Sequence, residues 1–527
     1  MVNIVGSIFD EGAEKYGDRI ALTFENKKSV SYKDLNEIIN RLANRLADLG
    51  VEKGEKVAMF MPNSLEIVYS WFAANKLGAI EVPINLANRG DFLSYIINNS
   101  ESSVLIVDHK LMDRVDFVQK DLAHLRHVVV WSETGKPSLP SMKFEMHAFD
   151  DLLEGSSTSP EVEVKEGDPV SMIYTSGTTG PSKGVLAPAG EALMAAKEYL
   201  EVMRCTENDV FYTCLPLFHG NAQLLCVLPA LICGSRAAIY ERFSSTQFWE
   251  QIQGSQATIF NSLGAMAPFI YNQEKSQAEM DNTVRACMAA PMPANIFKDF
   301  EGRFQLKVIE GYGLTETGMI TYNPWEETVI GSCGKATPNY EVKIFDNDDN
   351  EVPPNTLGEI VVRSKTPYTM CLGYYKMPEK TVEVFRNFYF HTGDAGIMDE
   401  KGYLYFRDRV KDYIRRRGEN ISSFEVERVF LGHPDVAECA AISVKSEYSE
   451  DEVMVVVVPK EGKKIAYEEL LDWCVPRMPY FAVPRYVLVE DQLPKTPNEK
   501  VRKNILREAG VTDKTWDREK AGYKVSR

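Results

Sequence analysis

The nine cysteines (Cys205, Cys214, Cys226, Cys233, Cys287, Cys333, Cys371, Cys439 and Cys474) include no CxxC pair, and no histidine cluster accompanies them. An odd count without paired spacing excludes a disulfide framework and the common structural-zinc patterns. It reads as free, mostly buried thiols in a reducing compartment. Positive charge is scarce: 59 Lys and Arg stand against 76 Asp and Glu, a net charge of −17. This excludes nucleic acid as the main partner, because a phosphate backbone needs a basic face. No apolar run reaches the length that crosses a bilayer. The opening MVNIVGSIFDEGAEKYGD lacks a basic start followed by a long apolar run, so no signal peptide is expected. Internal repeats are absent as well. What is present is a chain of 527 residues, 44% hydrophobic and 26% charged, which is too long for one simple core. A cytoplasmic, multidomain enzyme is the expectation.

The first part alternates helix and strand. Ser31-Tyr-Lys-Asp34 is a helix N-cap pattern before an amphipathic run from Leu35 to Leu46. Val57 to Met61, Ala79 to Pro83, Val104 to Val107 and His127 to Trp131 read as strands, with a helix from Ser64 to Asn75. This is the βαβ rhythm of a largely parallel sheet. Residues 132–168 read as a surface connection. Beyond about residue 330, Glu341 to Phe345, Gly358 to Arg363 and Tyr403 to Phe406 are short strands separated by turn signals, which predicts a small antiparallel subdomain. A basic knot, Arg409 to Gly418, precedes renewed α/β alternation: a helix from Ser423, strands Ala440 to Val444 and Glu452 to Val458, and a helix from Tyr467 to Trp473. The domain boundary is expected near residue 410, and the last dozen residues are expected to be loose.

One stretch cannot serve a core. YTSGTTGPSKG at 174–184 crowds hydroxyls, glycines and a lysine together. Between a β-prone run and a helical one, it is expected to link a strand to a helix. Its glycines permit close backbone approach, the hydroxyls of Thr175, Ser176, Thr178, Thr179 and Ser182 are donors, and Lys183 adds a positive charge. That describes a phosphate cradle, although not a Walker A loop. Composition by itself balances this against a solvated linker.

The partners of that loop decide. PLFHG at 216–220, GYGLTET at 311–317, HTGD at 391–394, DRVKD at 408–412, GENISSFEVE at 418–427 and LPKTPNEK at 493–500 follow in order. The series resembles the adenylate-forming superfamily of acyl-CoA ligases, luciferases and peptide-synthetase adenylation domains, and most of all its stand-alone carnitine/crotonobetaine-type ligases. The resemblance implies an α/β multidomain fold. A large N-terminal domain (1–410) would hold two α/β sheet subdomains and a small β subdomain. A small mobile α+β domain (411–527) would follow, hinged at Lys411. It implies a two-step reaction: a carboxylate attacks the α-phosphate of ATP, giving an acyl-adenylate and pyrophosphate, and the thiol of coenzyme A then displaces AMP.

Residue by residue, the resemblance assigns the triphosphate to Thr175, Ser176, Gly177, Thr178, Thr179, Gly180 and Lys183. Thr315 would meet the α-phosphate and Glu316 a Mg²⁺ ion, which favours carboxylate and phosphate oxygens. Adenine would lie against Ala290, Pro291, Gly311, Tyr312 and Gly313, and ribose against Asp394 and Arg409. His219 and Asn221 would line the acyl path, and Gly418, Glu419 and Asn420 the pantetheine path. Lys500 would stabilise charge developing in the first step. His219 is assigned gating and not base work, because a carboxylate nucleophile is already ionised. Taken singly, each has a plainer reading: Tyr312 a core aromatic, Asp394 a turn residue, Arg409 and Lys500 solvated cations, His219 a core histidine.

The chain departs from the family pattern at Pro188-Ala189, where a Ser/Thr-His pair is usual. It departs again at Arg417-Gly418, at Glu499 and at Ala289-Ala290-Pro291. These positions bear on specificity and conformation. Gly220, Asn221, Gln223, Asn261 and Ser262 suggest a pocket with polar groups, open to a polar short, a medium-chain or an aromatic acid. Beside a carboxylate–CoA ligase stand two alternatives, an adenylation enzyme that loads a separate carrier protein and an inactive adenylate-binding regulator. A luciferase-type oxygenase would need the same first step. A homodimer is left open.

Overall fold

The computed structural model describes residues 3–175, 181–264, 266–409, 414–416, 419–446, 451–494 and 501–525. Two large sheets form the body of the molecule. The first has nine strands in the order Lys335–Ala336, Gly318–Tyr322, Lys307–Leu314, Ala286–Ala290, Ile259–Leu263, Val210–Thr213, Arg236–Ile239, Ile20–Phe24 and Lys28–Ser31. Its centre is parallel and its ends are antiparallel. The second has eight, in the order Gly373–Tyr374, Lys183–Pro188, Pro169–Thr175, Ile80–Pro83, Lys56–Phe60, Val104–Asp108, His127–Trp131 and Glu145–Ala148.

Helix Leu65–Lys76 lies between the two sheets and touches both. Eleven of its residues are buried, so it is enclosed around nearly its whole circumference instead of along one stripe. Ser64 caps it, its side chain accepting from the Ile67 N–H. Helix Tyr32–Asp48 covers one side, with Ser31 as the N-cap and Leu35, Ile39, Leu42 and Leu46 on its buried stripe. These are the elements the periodicity predicts.

A five-stranded antiparallel sheet, built on Tyr340–Phe345, Gly358–Ser364 and Tyr389–Met398, follows. The C-terminal part holds a hairpin, Ile414–Arg416 with Glu419–Ile421, and a four-stranded sheet of Val436–Lys445, Asp451–Pro459, Tyr486–Val489 and Trp516–Asp517. Residue alternation gives this sheet two packed faces. Ala441, Val453, Val455 and Val457 pack with the hairpin residues Ile414 and Ile421. Ala440, Ile442, Met454 and Val456 pack on the other side with Leu493, Val501 and Leu506. Arg416 is buried in the hairpin, 2.6 Å from Glu452 and donating to the carbonyls of Phe481 and Val483.

Three expectations need correction. The stretch at 174–184 joins two strands and not a strand to a helix, because Lys183–Pro188 pairs antiparallel with Pro169–Thr175 before helix Ala189–Val202 begins. The apolar Val185 and Ala187 are buried by that pairing. Residues 132–168 contain strand Glu145–Ala148 and a short helix, Phe149–Leu152, so they are more than a surface connection. The chain end is also tied down: Trp516–Asp517 is an edge strand, and Asp517 accepts from Arg485. All nine cysteines are free, and six are buried.

Candidate active site

A cavity of about 820 Å³ opens where the two sheets, the antiparallel subdomain and the C-terminal part meet. Strand Lys307–Leu314 supplies one wall. Its parallel register beside Ala286–Ala290 sets Glu310 opposite Ala289, so Ala290, Pro291, Gly311, Tyr312 and Gly313 share one rim. The strand then turns back into Gly318–Tyr322. At Gly313 an added Cβ would lie 2.1 Å from the Gly318 carbonyl oxygen, so only glycine lets the two strands meet there. Glu310 accepts from the Met292 N–H, and burial pushes its carboxyl up to about 7.

Tyr312 donates its hydroxyl to Asp394 at 2.7 Å. Asp394 is buried on strand Tyr389–Met398, directly opposite Arg409. His391 and the Gly393 N–H both bond Glu359, which fixes the HTGD turn from behind. Glu359 lies on the cavity wall and has no motif of its own, so sequence reasoning missed it.

Thr315 and Glu316 end the same wall. Glu316 is buried and accepts from the Tyr374 hydroxyl at 2.9 Å. The Lys183 ammonium sits 4.1 Å from the centre of the Tyr374 ring. Tyr374 thus joins two predicted site residues from an unpredicted strand, Gly373–Tyr374, paired to Lys183–Pro188. Glu191 is a second surprise. In the first turn of helix Ala189–Val202, it lines the cavity, and burial followed by the nearby Glu316 pushes its carboxyl well above the ordinary range. Pro188 and Ala189, the departure from the family pattern, are buried at the start of that helix; Pro188 is its N-cap.

On another part of the wall, His219 lines the cavity. Desolvation there lowers its basicity, and Glu419 opposes this. Asn221 accepts from Asn261, whose own side-chain oxygen accepts from the Tyr199 hydroxyl. From the C-terminal part, Glu419, Ile421, Ser422 and Phe481 close the cavity. Glu419 accepts from Asn85 at 3.3 Å, and Glu425 accepts from the Ser182 N–H at 2.9 Å. Ser176, Gly177, Thr178, Thr179, Gly180, Lys411, Gly418 and Lys500 lie outside the described residues, and Arg409 and Asn420 are placed by their backbone alone. The structure therefore gathers Thr175, Lys183, His219, Asn221, Ala290, Pro291, Gly311, Tyr312, Gly313, Thr315, Glu316, Asp394 and Glu419 around one space.

The AMP-binding enzyme profile matches residues 9–375, and the AMP-binding enzyme C-terminal domain profile matches 425–500. The chain belongs to the AMP-binding enzyme family. Within that family it stands among the acyl-CoA ligases. It is 30% identical over 511 residues to the crotonobetaine/carnitine–CoA ligase of Salmonella agona (strain SL483), covering 95% of this chain and 98% of the relative. Among solved structures it resembles o-succinylbenzoate CoA synthetase from Bacillus subtilis with a bound product analogue, at TM-score 0.81 and 25% identity over 95% of this chain and 98% of that one. ATP-bound MatB from Rhodopseudomonas palustris aligns at TM-score 0.69 and 26% identity over 98% of this chain and all of that one.

A further cluster lies outside this cavity. Parallel register sets His127 opposite Glu145, and the strand's period of two places His147 on the same face. Their ligand atoms all lie within 4.8 Å of one another, and His127 Nδ1 is 3.2 Å from His147 Nε2. The linear sequence hides this histidine pair, because its members are 20 residues apart.

Proposed function

We propose that this AMP-binding enzyme is an ATP-dependent carboxylate–CoA ligase, converting an acid, ATP and CoA to acyl-CoA, AMP and diphosphate through an acyl-adenylate. The carrying observation is one cavity lined both by the GYGLTE, HTGD and FHG residues and by the C-terminal hairpin residues Glu419 and Ile421. Both substrates of the second step need access to the same acyl carbon, and such a shared wall provides it. Carrier loading and a purely regulatory role are not favoured by relatives that are CoA ligases.

In this reading Tyr312 and Ala290-Pro291 receive adenine, and Asp394 with Arg409 receives ribose. Thr175 through Gly180 and Lys183 hold the triphosphate. Thr315 meets the α-phosphate. Glu316 holds Mg²⁺, which would draw charge from the phosphate oxygens. The residues fit such an ion: buried Glu316 stands near Glu191, whose Oε2 has no partner, and a hard cation would favour ionisation of Glu191. Lys500 enters for adenylation. The C-terminal domain, beginning at residue 411, turns about Lys411 so that the Gly418 to Asn420 segment replaces it for thioester formation. The two profiles stop at 375 and resume at 425, on either side of that pivot.

We place the enzyme in the cytoplasm, in keeping with nine free thiols. Among the described residues no helix is long and apolar enough to cross a membrane. The assembly state is left to a sedimentation measurement. The test of function is a carboxylate panel assayed for pyrophosphate release with and without CoA, and for thioester. Acid-dependent pyrophosphate with no thioester in the presence of CoA would reject the CoA-ligase reading in favour of carrier loading.

A further inference from the structure

The cluster of His127, Glu145 and His147 has no part in the reaction proposed above. His127 and Glu145 open neighbouring parallel strands, His127–Trp131 and Glu145–Ala148, and the second of these is the edge of its sheet. The large cavity takes its wall from the other ends of this sheet's strands, through Pro83, Asn85, Tyr174 and Thr175, and none of the three residues lines it. Val129 and Trp131, on the same face as His127, pack into the main core, so the cluster sits at the rim of that core. The His127 side chain is 13% exposed and that of Glu145 75%. Packing thus fixes one imidazole, and solvent leaves the carboxylate free to adjust.

The spacing is that of a coordination shell. His127 Nδ1 is 3.2 Å from His147 Nε2 and 3.6 Å from Glu145 Oε2, and the three ligand atoms all lie within 4.8 Å of one another. Two donors on a tetrahedral zinc ion, each at about 2.0–2.1 Å, stand roughly 3.3 Å apart. With the proton of His127 on Nε2 and that of His147 on Nδ1, both ring lone pairs can face one point. A rotation of the exposed Glu145 side chain brings in the third ligand. Nearby charges do not oppose an ion: Arg45 is held by Asp48 at 2.9 Å, and Asp151 is held by Lys136. Two imidazoles and a carboxylate suit Zn²⁺ and its transition-metal neighbours, whereas Mg²⁺ and Ca²⁺ favour oxygen ligands alone. The cluster is therefore not a second seat for the Mg²⁺ of the reaction.

We propose that His127, Glu145 and His147 bind a divalent ion of the zinc class, with water in the fourth position, and that this ion braces the edge of the sheet. Strand Glu145–Ala148 is four residues long and pairs on one side only, in the slightly less stable parallel manner. Residues 132–144 separate it from its partner strand. An ion held by one strand at His127 and by the other at Glu145 and His147 closes that connection at the point where the pairing begins. The role is structural, and the inference does not depend on the ligase reading.

The test uses tag-free, full-length enzyme, treated with a chelator and returned to buffer without ATP. CoCl₂ is added first. About one equivalent should give the visible bands of four-coordinate Co²⁺ without a thiolate charge-transfer band, which separates this site from the free cysteines. ZnCl₂ should displace the cobalt and slow amide hydrogen exchange across Glu145–Ala148. His127→Gln and His147→Gln should each weaken Zn²⁺ binding by at least about 100-fold, the upper end of what losing a mere partner of a ligand costs. Glu145→Gln, at an exposed position, should weaken it by roughly tenfold or more and serves if the histidine variants fold poorly. Zinc binding unchanged in all three variants would place the ion elsewhere and overturn the proposal. So would the absence of cobalt bands at roughly millimolar metal, far above the dissociation constant of a built zinc site, which would leave the pair as a hydrogen bond between two imidazoles. Binding with no slowing of exchange in the edge strand would overturn the bracing role.

Discussion

At the scale of single residues, burial raises several carboxyl groups on the cavity wall, Glu81, Glu191 and Glu310 among them. Glu310 illustrates the consequence for stability. In the unfolded chain a glutamate ionises near pH 4.5, and in the folded protein burial raises Glu310 to about 7. Below 4.5 both states hold the proton and folding bears no cost. As pH rises from 4.5 to 7 the unfolded state ionises first, so stability falls, by up to about 3 kcal/mol for a shift of this size, and levels off above 7. Glu310→Gln, which can still accept from Met292, should therefore melt higher than the parent at pH 8 and by a smaller margin at pH 5.5. A margin independent of pH would show that Glu310 is not the titrating group. Lys500 belongs to the same scale. Lys500→Ala should lose at least about 100-fold in acid-dependent pyrophosphate release, the scale for one preorganised charge. It should still convert supplied acyl-adenylate and CoA to thioester. Parallel loss of both half-reactions would remove Lys500 from its assigned role.

At the scale of elements, the docking of the C-terminal part is carried by a few close contacts. Helix Gly90–Ser100 begins at a glycine with φ of 48°, and an added Cβ would lie 2.8 Å from the Arg477 Cα and 3.2 Å from the Pro476 carbonyl oxygen. Glu425, near the start of helix Ser423–Leu431, accepts from Ser182 at the start of the pairing with Pro169–Thr175. These contacts hold the hairpin Ile414–Arg416 and Glu419–Ile421 against the cavity. If this is the arrangement for thioester formation, Gly90→Ala should impair that step selectively. A loss of about tenfold corresponds to some 1.4 kcal/mol of misfit at the contact. Adenylation, which would use the other arrangement, should stay near the parent rate. Thioester formation from supplied adenylate, set beside pyrophosphate release, reads both. Equal impairment would mean that Gly90 serves the fold and not the docking.

At the scale of the whole molecule, one small domain has two usable faces. The hairpin packs on one side of the C-terminal sheet, and Leu493 and Val501, which bracket the segment ending in Lys500, pack on the other. Two such faces are what the proposed turning of the domain between steps requires. Lys411 is the proposed pivot. Proline there would fix φ and remove an N–H. Lys411→Pro is expected to leave pyrophosphate release in place and abolish thioester formation. Parent rates in both steps would put the pivot elsewhere or make turning unnecessary.

The sequence by itself determined the alternation of elements, the caps at Ser31 and Ser64, the reducing character of the thiols and the identity of most groups around the cavity. Those signals are local: hydrophobic period, side-chain donors at fixed offsets, and short motifs whose chemistry is set by residue type. Tertiary structure alone decided that strand Lys183–Pro188 follows the Gly/Ser/Thr-rich stretch, that Tyr374 links Lys183 to Glu316, that Glu359 braces the HTGD turn, and that Glu191 and Glu81 lie on the cavity wall. Each depends on sheet order and on contacts between residues distant in the chain. A glutamate in a β-prone run carries no sign of whether it will point to solvent or to an enclosed cavity. Only the closing of the two sheets around helix Leu65–Lys76 removes water from Glu81 and so raises its carboxyl above the ordinary range.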